Sequence, residues 1–305
     1  MTQRALTNAI AAIDEVILGK GEQVRMGVAA LLARGHLLIE DIPGVGKTTL
    51  SHALSRALGL AFNRVQFTSD LLPADILGVT IYERQQEQFR FHPGPIFAQV
   101  VLADEINRAS PKTQSALLEA MEEQQVTIEG VSHPLPQPFF VIATQNPGEQ
   151  IGTYPLPESQ LDRFLMVISL GYPDVSAERS LLHGDNRHDL LQQLQPQLNS
   201  SQLLTLQQQV QQVQVTEALI DYVIAIITFS RQSGAYPVGL SPRAGLALLS
   251  AARAWALLDQ RDYVRPDDIQ TMLAAVAAHR LRQQQSSDSN SAAQIVAPLL
   301  ELAIP

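Results

Sequence analysis

Over the first 172 residues the apolar positions fall into short runs separated by glycine- and proline-rich corners. Leu37–Ile39, Val100–Ala103, Phe139–Thr144 and Leu165–Leu170, the last interrupted once by Ser169, are such runs, and Phe62–Phe67, with polar Asn63, Arg64 and Gln66, suits a further strand. Runs of this length predict strands buried on both faces, where alternation would predict strands half exposed. Between them the spacing turns helical. Residues 1–35 read as helix, with Val24, Val28, Leu31 and Leu32 on one face and Gly35 as the stop. A helix-competent stretch, Leu50–Leu58, follows the first run. Ser110-Pro111 opens another helix, with serine as cap and proline at the first helical position, and places Leu117, Leu118 and Met121 on one side. Two hairpins are predicted, Val79–Tyr82 with Phe89–Phe91 and Gln125–Glu129 with Val131–Leu135, the second turning at Gly130. Buried strands alternating with helices predict an α/β fold with a largely parallel five-stranded sheet.

At Gly171-Tyr172-Pro173 the pattern changes. From Leu190 to Thr216 there is no charged residue and glutamine dominates, yet Leu203, Leu206, Val210 and Val213 keep helical spacing. That predicts a helix with a glutamine face. Glu217–Arg231, Pro242–Leu258 and Asp267–Leu281 read as three more helices. Gln283–Ser291 reads as a low-complexity loop before a last short helix. The expected division is an α/β core over 1–172 and an all-α domain over 173–305.

Composition narrows the chemistry. The 305 residues are 46% hydrophobic and 17% charged, as in an ordinary globular chain. There is no cysteine, which excludes disulfides, thiolate metal sites and cysteine nucleophiles. The seven histidines show no zinc spacing. A net charge of −9 argues against nonspecific attraction to nucleic acid. Met1–Ile17 lacks a signal-peptide core, and Ala218–Phe229 is too short to span a bilayer, so a cytoplasmic protein without a transmembrane segment is expected.

The chemistry centres on Glu40–Thr49. Strand, glycine loop, Lys-Thr and helix follow one another here, the context of a phosphate-cradling loop. Pro43, Gly44, Val45, Gly46, Lys47, Thr48 and Thr49 are the expected nucleotide contacts. Lys47 would reach the β- and γ-phosphates and the Thr48 hydroxyl would ligate Mg²⁺. The full pattern asks for glycine at position 41, where this chain has Asp41. Asp104 and Glu105 end a buried strand, as metal-holding and water-polarising carboxylates do. Asn146 follows the Phe139–Thr144 run and either orients the attacking water or caps the turn before Pro147. Arg163 either pairs with Asp162 or Glu158 or reaches into a neighbouring subunit's site, and Arg108 is a second candidate for that reach. Arg243 stands in the first turn of a helix opened by Ser241-Pro242. The helix dipole disfavours a cation there, which points to a ligand or an acidic partner. Val16 and Ile17 are either core packing or one wall of an adenine site.

The ordered set Lys47, Asp104-Glu105, Asn146, Arg163 and Arg243 resembles the AAA+ ATPases. The wording Pro43-Gly44-Val45-Gly46-Lys47-Thr48, Ala103–Arg108, Ala143–Pro147, Pro157–Phe164 and Ser241-Pro242-Arg243 is similar to the MoxR family, which shares the Asp41 departure. The resemblance implies a P-loop NTPase core with a helical lid, ATP and Mg²⁺ as cofactors, and ATP hydrolysis. It implies Asp104-Glu105 as the Walker-B pair, Asn146 as sensor 1, Arg163 as the arginine finger and Arg243 as sensor 2. It further implies a homo-hexameric ring acting as a chaperone-like remodelling or maturation factor, with client proteins and a partner bearing a von Willebrand factor A domain. A magnesium-chelatase motor subunit shares these ATPase parts. A DNA-remodelling motor would share them too, but the −9 charge and the uncharged glutamine tract speak against it. The last alternative is a non-hydrolysing nucleotide-gated scaffold, against which Glu105 argues.

Overall fold

The computed structural model describes residues 2–148, 152–183, 187–281 and 291–304. Helices α1 (Thr2–Val16) and α2 (Gly21–Leu32) lead into strand β1 (Leu37–Glu40). The expected single helical run is thus two helices, broken where Gly19 takes a φ of +67°. Helix α3 (Lys47–Ala57) follows the glycine loop and leads to β2 (Phe62–Gln66). Helix α4 (Pro73–Leu77) precedes a hairpin of β3 (Gly78–Glu83) and β4 (Gln88–Pro93). Strand β5 (Val100–Asp104) is followed by α5 (Pro111–Glu123) and a second hairpin, β6 (Gln125–Ile128) with β7 (Val131–Pro134). Glu129 and Gly130 both carry positive φ at its two-residue tip, the backbone a tight hairpin demands. Strand β8 (Phe140–Gln145), helix α6 (Glu158–Leu161) and strand β9 (Met166–Ile168) complete the core. The remainder is helical: α7 (Val175–Leu182), α8 (Arg187–Gln193), α9 (Ser200–Gln212), α10 (Glu217–Gln232), α11 (Pro242–Leu258), α12 (Pro266–Ala277) and α13 (Ala292–Leu300). The expected loop at Gln283–Asn290 lies outside the described residues.

The five predicted strands form one parallel sheet in the order β2-β5-β8-β1-β9. The fold is therefore an α/β core with a five-stranded parallel sheet, followed by an all-α region. Alternate residues of each strand feed two apolar layers. Leu37, Ile39, Leu102, Ile142 and Met166 face a layer that also holds Val28 of α2, Leu50 of α3 and the lid residues Leu206, Tyr222, Ala251 and Met272. Leu38, Val101, Val141 and Ala143 face the other, with Ile76, Leu117, Leu118 and Phe164. Both faces being covered explains why β1, β5, β8 and β9 read as apolar runs, while the edge strand β2 leaves Asn63, Arg64 and Gln66 exposed. The glutamine tract bends toward this body as well: Gln207 is buried and its side-chain amide donates to the Leu31 carbonyl at 2.7 Å. The sequence placed that glutamine on a polar face; tertiary packing gives it a helix-end acceptor instead.

His36, at the entry to β1, is buried between the layers. Its Nδ1 accepts from the Val141 N–H at 3.0 Å, and Nε2 faces the Met121 carbonyl at 3.4 Å. Burial pushes its pKa down to about 4, with the Met121 contact opposing weakly. The unfolded chain takes up this proton near pH 6.5, so the contribution to stability is full above that pH and lost as pH falls toward 4. The loss amounts to about 3 kcal/mol. Thermal unfolding followed from about pH 7 to pH 4 is expected to show this slope. His36→Asn, whose amide oxygen can still accept from Val141, should flatten it, and equal slopes in both proteins would contradict the assignment.

Candidate functional site at the two edges of the sheet

Parallel strands end together, and the sheet gathers the predicted residues at its carboxyl edge. Glu40 is level with Gln145, Ile39 with Thr144, and Gln66 with Asp104. The loop 41–46 leaves β1 at this edge and runs straight into α3. Gly44 and Gly46 take φ of +86° and +96°, and a Cβ built on either meets nothing within 4 Å. Side chains are excluded there by backbone conformation, not by crowding. Gly46 is also the N-cap of α3 and offers no side-chain acceptor, so the first-turn N–H groups of Lys47, Thr48 and Thr49 point out of the helix end. Lys47 donates to the Asp41 carbonyl at 2.5 Å and lies 3.3 Å from that of Ile42, folded over its own loop.

Asp104 and Glu105 stand beside this loop with partners the sequence did not disclose. Asp104 is buried; its Oδ1 accepts from the Thr144 hydroxyl at 2.6 Å, and its Oδ2 pairs with Arg64 of β2 at 2.6 Å. Thr144 also accepts from the Glu105 N–H at 2.9 Å, locking β8 to the end of β5. Glu105 has a φ of +57°, a left-handed conformation that costs a non-glycine residue of order 1 kcal/mol. That turn swings its carboxylate off the strand line to Arg108 Nε at 2.8 Å and Gln66 Nε2 at 2.9 Å. Arg108 is thus held by its own subunit's Glu105. Asn146 follows β8, which does lie beside β1, and its Oδ1 accepts from the Gly148 N–H at 3.2 Å. Arg64 and Gln66 were missed; their only signal was a polar i, i+2 pair in a strand that also carries Asn63.

Among the described residues no group of three or more histidine, aspartate or glutamate side chains could cage a metal. Magnesium does not require one: it keeps waters and phosphate oxygens and takes one or two protein oxygens. The oxygen donors of Thr48 and Asp104 fit that mode, and the open, N–H-lined glycine loop fits a polyphosphate. Val16 and Ile17 are both buried in the apolar layer that includes α3.

Arg163 and Arg243 stand elsewhere. Met166 is level with Leu37, so Arg163 precedes β9 at the amino edge of the sheet. A strand length, roughly 13 Å at 3.3 Å per residue, separates that edge from the phosphate loop. Arg163 pairs with Glu122, at the far end of α5, at 3.1 Å. The other oxygen of Glu122 takes Arg243 at 3.2 Å, with Asp162 3.9 Å away. The acidic partner expected for Arg243 is therefore Glu122, and the two arginines share one carboxylate. They line a cavity of about 350 Å³ with Arg34, Asp162 and Arg280.

Such a site, a glycine loop and an acidic pair at the carboxyl edge of a parallel sheet under a helical lid, defines a P-loop ATPase of the AAA+ class. Residues 36–166 match the ATPase family associated with various cellular activities (AAA), and residues 228–299 match the AAA lid domain. The chain is 43% identical to chaperone MoxR1 of Mycobacterium tuberculosis, over 90% of this chain and 75% of that protein. It is 48% identical to YeaC, an uncharacterised protein of Bacillus subtilis, over 90% of this chain and 86% of the relative. A crystal structure of a Cytophaga hutchinsonii protein superposes with a TM-score of 0.91 at 34% identity, covering 100% of this chain and 96% of that one. The chain belongs to the MoxR-related AAA+ ATPases.

One buried cation fixes the geometry of the amino edge. Arg280, after α12, is 6% exposed and pairs with Asp162 at 2.6 Å, while donating to the carbonyls of Asp162 and Phe164 at 3.1 and 2.8 Å. Desolvation lowers its pKa and Asp162 opposes that shift. Arg280→Met strands the Asp162 carboxylate and four carbonyls, those of Asp162, Phe164, Leu165 and Val276, and is expected to cost about 3–5 kcal/mol in denaturant unfolding. A loss under about 1 kcal/mol would show that the pair is replaceable.

Proposed function

We propose that the chain hydrolyses ATP at contacts between copies of itself, each interface joining the carboxyl edge of one sheet to the amino edge of the next. One observation carries this reading: the predicted residues split between opposite edges. Lys47, Thr48, Asp104, Glu105 and Asn146 gather at one edge, and Arg163 and Arg243 share Glu122 at the other. A subunit cannot bring its own Arg163 to its own phosphate loop across a strand of packed core. A head-to-tail neighbour can, and repeated head-to-tail contacts close into a ring.

In this reading Pro43, Gly44, Val45, Gly46 and Thr49 shape the phosphate cradle, and Lys47 turns from the Asp41 carbonyl to the phosphates. Thr48 and Asp104 would hold magnesium, which would supply neutralisation of charge on the terminal phosphates. Glu105 leaves Arg108 and Gln66 to take a proton from the attacking water, which Asn146 orients. Val16 and Ile17 back the base. Arg163 and Arg243 exchange Glu122 for the neighbour's terminal phosphate, so both act in trans. The core, 1–172, and the lid, 173–305, move as separate bodies. Remodelling of client proteins follows from the relation to a named chaperone. A six-membered ring and a von Willebrand factor A-domain partner come from the family resemblance alone.

Glu105→Gln is expected to lower turnover at least about 10²-fold while nucleotide stays bound; full activity would remove Glu105 as the base. Arg163→Ala and Arg243→Ala subunits should each be inactive alone, and each should regain activity when mixed with Lys47→Ala subunits. Turnover measured in mixed rings, with no recovery for either pair, would overturn action in trans.

A further inference from the structure

The residue that breaks the phosphate-loop pattern has a structural use that the reading above does not employ. Asp41 stands where the motif asks for glycine, and its side chain is buried. Its Oδ1 accepts from the Ile42 N–H at 2.8 Å, within the loop itself. Its Oδ2 accepts three bonds from beyond β9: the Ser169 hydroxyl at 3.0 Å, the Leu170 N–H at 2.6 Å and the Gly171 N–H at 2.6 Å. Residues 169–174 are the whole connection between β9, the last strand of the core, and α7, the first helix beyond it. Gly171 takes a φ of +62° there, so the chain turns sharply where the carboxylate grips it.

A second tie reaches the same segment from the other side of the loop. Lys20, in the turn after Val16-Ile17, is buried, and its ammonium donates to the Tyr172 carbonyl at 2.7 Å. Four consecutive residues, Ser169 to Tyr172, are therefore held by the Asp41 carboxylate of the glycine loop and the Lys20 ammonium of the turn between α1 and α2. Bonds from an ionised carboxylate to backbone N–H groups are short and about twice as strong as neutral ones, and burial lowers the screening further. Displacement of the loop by even a few tenths of an ångström has to be shared by the connection or break these bonds.

We propose that Asp41 is a positioning residue that couples the phosphate loop to the core–lid connection, so that nucleotide occupancy at Lys47 sets the lid's orientation through the Asp41 carboxylate. A glycine at this position would leave the loop intact and the connection ungripped. The proposal rests on nucleotide binding at the phosphate loop.

The sequence has no cysteine, so cysteines introduced at Glu119 of α5 and Asp221 of α10, both exposed, carry distance labels without background. The core–lid distance is measured with and without a magnesium-loaded non-hydrolysable ATP analogue. In the labelled parent protein the analogue is expected to bind and change the distance. In Asp41→Asn, which loses the charge and sets one oxygen and one NH₂ group against four donors, at least half of that change should be lost. The analogue's affinity should stay within about threefold, and kcat should fall roughly tenfold with KM little moved. A full distance change in Asp41→Asn would overturn the coupling, as would loss of binding altogether, which would make Asp41 a prop for the loop alone. If the parent protein itself binds no analogue, nucleotide binding fails and the coupling falls with it. Should Asp41→Asn not fold, Ser169→Ala removes one of the three bonds; a distance change equal to the parent's would then overturn the coupling and a partial loss would uphold it.

Discussion

A parallel sheet has two unlike edges, and the pairing of β1 between β8 and β9 decides what each edge carries. Parallel register sends every strand's carboxyl end the same way, so the glycine loop, Asp104-Glu105 and Asn146 converge although they are far apart in the chain. The same register sends the segment before β9 the opposite way. Arg163 is thereby kept from its own phosphate loop by the thickness of the core. The separation of Arg163 from its own glycine loop is a consequence of strand direction, not of any feature peculiar to the arginines.

Charge is managed differently at the two edges. At the carboxyl edge the acids are paired with groups able to let go. Arg64 is about half exposed, Arg108 is close to its own glutamate, and Glu105 sits in a left-handed conformation that packing must sustain. At the amino edge Glu122 serves two arginines near the surface, one of them from the lid, while Arg280 is locked below them among carbonyls. The exposed pairs contribute little to stability and can be exchanged for a ligand. The buried pair cannot be broken cheaply, and it anchors the lid to the segment that carries Arg163. Stability and exchangeability are thus assigned to neighbouring residues of opposite burial.

Between the edges runs the Ser169–Tyr172 connection, held by Asp41 and Lys20. A lid that rests on the same apolar layer as the sheet is not loosely tethered. Its orientation can respond to the glycine loop only through groups that touch both. A buried carboxylate with four donors is such a group, and neither backbone glycine nor an apolar side chain could replace it.

Much of the fold was legible in the order of residues. Four apolar runs became parallel strands, because strands covered on both faces must be apolar throughout; the edge strand β2 kept exposed polar positions, and both hairpins were marked by their turns. The phosphate loop and the acidic pair were legible because their chemistry depends on adjacent residues: glycines beside Lys-Thr, and carboxylates directly after a buried strand. The break between α1 and α2, the shortness of β9 and the inward turn of Gln207 were not legible, since each is decided by what packs against it. Nor were Arg64, Gln66, Glu122 and Arg280, which meet their partners across 39 to 121 residues of chain. Local sequence specifies local backbone and the chemistry carried on it. Which acid holds which arginine, and why position 41 is an aspartate, depends on distances between segments that exist only once strand direction and lid packing are set.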